Sequence, residues 1–144
     1  MTPVRRPIQT FQVGVKAFVW HDERLLLVQE ANAAARWELP GGRIDVGEEL
    51  LPLADVLRRE LREELGAGFS CCIGGPCATW VRAVEPQRAL PVFLVGLRCS
   101  SPRGDIVLSD EHTDVRWAGR DEWATLPLAA GYAEALRIFA ALLA

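Results

Sequence analysis

Leu39–Ala67 reads LPGGRIDVGEELLPLADVLRRELREELGA, and this stretch decides how the chain is understood. Pro40 stiffens the entry to Gly41-Gly42, a pair open to backbone angles closed to other residues and to close approach by a ligand's phosphates. Gly47-Glu48 marks a second turn. Pro52 suits the first turn of a helix and Gly66 its end. Along that helix Ala54, Leu57, Leu61 and Leu65 form an apolar stripe that predicts the core-facing side. Glu60, Glu63 and Glu64 stand at i, i+3 and i+4, in one narrow arc beside the stripe, which places them at a cleft edge. Carboxylates so spaced repel by about a few tenths of a kcal/mol per pair, so a neutralising partner is expected. A hard divalent cation fits, because it prefers carboxylate oxygens and is commonly shared with substrate phosphates. Taken alone, RRELREEL favours a solvated helix laced by pairs such as Arg59–Glu63. The glycines upstream turn the reading towards a site.

Gly42 and Glu48, followed by Arg59, Glu60, Leu61, Glu63, Glu64, Gly66 and Ala67, closely resemble the Nudix box, G-x5-E-x7-R-E-U-x-E-E-x-G-U with U apolar. Trp37-Glu38-Leu39-Pro40-Gly41 is the usual lead-in to it. One departure matters: ten residues separate Glu48 from Arg59, where the family pattern has seven. An insertion inside the helix would rotate everything beyond it by about 300°. The apolar stripe continues unbroken through the carboxylates, so a longer loop from Val46 to Leu51 is expected, with the helix beginning near Pro52.

The resemblance implies a Nudix-type α/β/α sandwich around a central mixed sheet. It also implies Mg²⁺-dependent (or Mn²⁺-dependent) cleavage of the diphosphate bond of a nucleoside diphosphate linked to another moiety. Glu60, Glu63 and Glu64 become the expected metal ligands, with a backbone carbonyl of Gly41 or Gly42 as an addition. Arg59 is expected to orient a carboxylate through its planar guanidinium. Glu48 has two readings, a member of that network or a turn carboxylate. A base or extra ligand from outside the box is sought in Leu108–Trp117, LSDEHTDVRW, with Glu111 first and His112 and Asp110 as alternatives, against a plain surface loop. The catalytic set is thus Glu63, Glu64, Arg59 and Glu111. Trp37 and Trp80 are candidates to stack on a base in the cleft beside Gly41 and Gly42, against the alternative of core packing.

Composition sets the frame. The chain has 144 residues, 50% hydrophobic and 24% charged, which suits one domain with a real core. A net charge of −3 argues against an extended nucleic-acid partner, whose binding rests on basic patches. It leaves room for a small anionic nucleotide whose charge a metal meets. Lys16 is the only lysine among sixteen basic residues, which reads as codon bias rather than chemistry. Cys71, Cys72, Cys77 and Cys99 form no C-x-x-C pair and have no histidine nearby, so they read as small apolar fillers rather than a zinc site. No apolar run approaches a membrane span and MTPVRRPIQTFQ lacks a signal-peptide core, so no membrane partner and a cytoplasmic location are expected. A homodimer is compatible with all of this.

Residues 1–10 read as a tether and 11–144 as a single domain. Strands are expected at Phe11–Trp20, Leu25–Gln29, Arg36–Leu39, Cys77–Ala83, Leu90–Cys99 and Val115–Ala118, with a loop over Ser100–Gly104. Gly131–Leu143 reads as an amphipathic helix presenting Leu136, Phe139 and Leu143 to the core. Retention of all three box glutamates favours an enzyme over a non-catalytic Nudix-fold nucleotide-binding or regulatory module. The family's markers for ADP-ribose and for dinucleoside polyphosphates are not evident: Pro86 falls three residues beyond the first position, and the only tyrosine is Tyr132. Nucleoside triphosphates and similar small diphosphates remain by elimination.

Overall fold

A computed structural model describes residues 1–143. Residues 1–11 carry no helix or strand, and all are exposed. Seven strands and two helices follow: β1 (Gln12–His21), β2 (Arg24–Glu30), β3 (Trp37–Glu38), β4 (Gly41–Arg43), α1 (Leu53–Leu65), β5 (Ser70–Arg82), β6 (Val92–Arg103), β7 (His112–Gly119) and α2 (Tyr132–Leu142). The sheet is mixed. β1 runs parallel to β6 from Gln12 to Val19, and the other pairings between these strands are antiparallel.

The two helices cover opposite faces because β1 alternates. Val15, Ala17 and Val19 join Val56, Leu57, Leu61 and Leu65 of α1 in one core. Phe18 points the other way, into a second core with Leu136 and Phe139 of α2. This is the expected α/β/α sandwich.

The sheet forks where the site will form. β1 and β2 pair only at their turn, Trp20 with Leu25 and His21 with Arg24. Beyond it they diverge, and the gap is filled by β3 against β2 and β4 against β1. Gly41-Gly42 is therefore a short strand, not the turn expected from sequence. A Cβ on Gly41, at φ +131°, would strike the backbone carbonyl of Val15, and one on Gly42 would strike the Glu60 carboxylate.

Helix α1 begins after Pro52, and the loop before it is built from two turns, Glu48 N–H to Asp45 O and Leu51 N–H to Glu48 O, each 3.0 Å. The three extra residues thus lie before the helix, as the unbroken stripe predicts. Two strand limits differ from expectation. β5 starts at Ser70, and β6 runs on through Ser100 to Arg103 where a loop was expected. These segments pair with each other through irregular register, so small and polar residues there hide the alternation on which strand reading depends.

Candidate active site

A cleft of about 350 Å³ opens at the fork. One wall is α1 with Gly41 and Gly42; the other is gathered from β1, β3, β5, β6 and α2. On the α1 wall, Glu60 and Glu64 are buried at 7% and 3% exposure while Glu63 is open to solvent. The N–H of Gly41 donates to Glu64 Oε2 at 2.8 Å, so the β4 edge holds this carboxylate. Burial pushes Glu64 up to about 7, against the lowering effect of Lys16 and the Gly41 N–H. Glu60 is raised as well, chiefly by burial.

Arg59 ties this wall together. It donates to Glu48 through Nε at 2.7 Å and Nη2 at 2.5 Å, and through Nη1 to Glu60 at 2.8 Å and Glu63 at 3.2 Å. The paired hydrogen bonds use the guanidinium's planar fork. Arg59 depresses the Glu48 carboxyl below its ordinary value, with help from the Asp45 N–H. Of the two readings of Glu48, the structure places it in the arginine network despite the insertion.

The Leu108–Trp117 segment is not a surface loop throughout. β7 starts at His112, which is buried, while Glu111 is exposed and lines the cleft. Ligand atoms of Glu64, Glu111 and His112 all lie within 4.8 Å of one another. His112 Nε2 bonds Glu38 Oε1 at 2.9 Å, and its Nδ1 has no protein partner. Asp110 does not line the cleft. The oxygen-rich donors at this end, two of them buried acids with raised pKa, fit a hard divalent cation.

Trp37 and Trp80 do not line the cleft. Both are core residues, at 6% and 5% exposure, and Trp80 packs edge-on against Phe18 and Tyr132. The stacking expectation is corrected: the inward phase of β3 and β5 directs both indoles into the α2-side core.

Sequence reading passed over the opposite wall. Lys16 is buried in the cleft, with Nζ donating to Gly41 O at 2.9 Å and lying 3.7 Å from Glu38. Burial works against its charge, yet Glu38, Tyr132 and Glu64 outweigh it and hold the lysine above its ordinary range. Burial would raise Glu38, but Lys16, His112 and Arg82 bring it down to about 2. Arg82 pairs with Glu30 at 3.0 Å and Glu38 at 3.4 Å. Three buried polar atoms on this wall lack a close hydrogen-bond partner: Arg82 Nε, which faces Glu85 Oε1 at 3.7 Å, Arg88 Nη1, and Tyr132 Oη, which lies beside the Lys16 ammonium. The signal for Lys16 was available, a lone charge inside the apolar strand VGVKAFV.

An α/β/α sandwich with a carboxylate wall at a sheet fork has clear relatives. The NUDIX domain family matches residues 10–139. A nucleoside triphosphatase, NudI of Salmonella arizonae, is 30% identical over 112 residues, covering 72% of this chain and 75% of that protein. The solution structure of the E. coli ORF135 protein is similar at a TM-score of 0.80 and 27% identity, covering 96% of each chain. The MutT NUDIX hydrolase from Burkholderia pseudomallei shares the fold at a TM-score of 0.71 and 23% identity, covering 90% of this chain and 97% of that one. The chain belongs to the NUDIX domain family and is a pyrophosphohydrolase of that family.

Proposed function

We propose that the enzyme hydrolyses a nucleoside triphosphate, or a closely similar nucleotide, with Mg²⁺ as its cofactor and Mn²⁺ as a substitute. The observation that carries this reading is the division of one cleft into an acidic wall and a wall of unsatisfied donors. Glu60, Glu63, Glu64 and Glu111 would hold the cation, which when bound neutralises phosphate charge and lowers the pKa of a water. The Gly41 N–H and the Arg59 fork keep those carboxylates in place. At the other end, Arg82 Nε, Arg88 Nη1 and Tyr132 Oη need acceptors, as buried donors do. A nucleoside supplies them through its base edge and sugar, with Val92 and Leu94 offering apolar surface. The relative named for nucleoside triphosphate hydrolysis is in keeping with this substrate class.

The functional unit in this reading is the domain at 11–144, with 1–10 as a tether. No described helix is long and apolar enough to cross a membrane. A cytoplasmic location and a homodimer belong to the same proposal.

The test is product analysis across a nucleotide panel with and without Mg²⁺. Pyrophosphate and nucleoside monophosphate from a triphosphate, formed only with the metal, support the reading. Tight nucleotide binding without turnover on any member would replace it with a non-catalytic module.

A further inference from the structure

Lys16 is buried in the cleft, yet the proposed chemistry makes no use of it. Its position follows from the phase of the β1–β4 ladder. Backbone bonds join Ala17 N–H to Pro40 O at 2.9 Å and Ile44 N–H to Val13 O at 2.8 Å. Bonded and non-bonded pairs alternate along an antiparallel ladder, so the Lys16–Gly41 pair is a non-bonded one. The N–H and C=O of Gly41 are therefore left out of the ladder at a buried position, where peptide groups need partners. Side chains supply both. Glu64 accepts from the N–H at 2.8 Å, and Lys16 donates to the C=O at 2.9 Å.

We propose that Lys16 is a positioning residue for the metal end of the cleft, anchoring Gly41 so that its N–H fixes the carboxylate of Glu64. The inference rests on the reading of Glu64 as a metal ligand. Glu38 braces the ammonium at 3.7 Å and is itself held by His112 and Arg82, so the lysine cannot easily swing away. The same contact with Glu38 offsets the lysine's charge, which would otherwise repel a cation, and leaves its geometric role dominant. Gly41 cannot be replaced without a backbone clash, so this glycine and this lysine act as one unit.

The test is a double-mutant cycle read by Mn²⁺ binding, with free Mn²⁺ measured by electron paramagnetic resonance in the absence of nucleotide. Lys16→Met should weaken Mn²⁺ binding about tenfold, and in the Glu64→Gln background it should weaken it no further. At saturating metal the nucleotide KM of Lys16→Met should stay within about twofold of the parent, because Lys16 acts through Glu64. Equal losses in both backgrounds, or unchanged binding in Lys16→Met, would overturn the inference and leave Glu64 as a ligand. Unchanged Mn²⁺ binding in Glu64→Gln would overturn the metal reading and this inference together. Should Lys16→Met not fold, the contact is tested in the unaltered protein by NMR. A scalar coupling between Lys16 Nζ and the Gly41 carbonyl carbon is expected, and its absence would overturn the proposal.

Discussion

The two walls of the cleft are built in opposite ways. The α1 wall is local: Glu48, Arg59, Glu60, Glu63 and Glu64 lie within seventeen residues, and a single helix turn brings the last three together. The facing wall is assembled from Glu38 on β3, Arg82 on β5 and Tyr132 on α2, residues up to 94 positions apart, with Lys16 reaching from β1 to Gly41 on the α1 side. The local wall has its polar groups satisfied by one another through Arg59, whereas the assembled wall is left with free donors. Helical spacing can collect ligands for an ion cheaply. A surface shaped to one substrate needs contributions from across the sheet.

If the walls divide the work as proposed, substitutions should separate into effects on turnover and effects on binding. The largest is expected at Glu64. Glu64→Gln should lower kcat by a hundredfold or more, at least about 2.7 kcal/mol in the barrier, with the fold retained by circular dichroism.

The second effect is one of pH. Glu64 sits near 7 without metal because burial disfavours its charge, so below that pH a proton occupies the carboxylate and must be displaced by a cation. Mg²⁺ affinity should fall as pH is lowered, by about 30-fold between pH 8 and pH 5.5. For the metal-free protein the sign of the stability contribution is the opposite. A raised carboxyl contributes fully below its ordinary value of 4.5, and that contribution is lost as pH rises through 7. Thermal shift by Mg²⁺ should therefore be larger at pH 8 than at pH 5.5. Glu38, held at about 2, behaves oppositely: its contribution is present above 4.5 and lost as pH falls towards 2.

On the assembled wall, Arg82→Ala should raise KM about tenfold with a smaller change in kcat, since it removes binding shared by ground and transition states. A kcat collapse there with KM unchanged would erase the distinction between the walls. The smallest effect is expected at Glu111, which is exposed and belongs to neither wall's hydrogen-bonded core. Glu111→Gln should lower kcat several-fold with little change in KM. If that variant is silent while His112→Ala is crippled, the two residues exchange roles.

What was legible in the sequence follows the same divide. The helix, its carboxylates and the displacement of the insertion into the preceding loop could all be read from one 3.6-residue period. Glu48 could not be settled, because its return to Arg59 depends on how two successive turns fold the longer loop. Arg82 and Arg88 gave no local pattern, and Lys16 only that of a lone charge in an apolar strand, since what makes them a group is the fork between β1 and β2. His112 was read as part of a loop because its strand begins at it, and its burial against Glu38 spans 74 residues of sequence. Trp37 and Trp80 were misplaced for a related reason. Aromatic identity marks either a core or a binding surface, and only the facing helix α2 decides between them.

The central claim is that the α1 wall, and not the assembled one, holds the metal. NMR of the uniformly ¹⁵N-labelled protein, titrated with substoichiometric Mn²⁺, tests it directly. Paramagnetic broadening should begin at the amides of Gly41, Gly42 and Glu60 to Glu64 while those of Val84 to Arg88 stay sharp. Broadening centred on Val84 to Arg88, or spread evenly over the surface, would contradict the account.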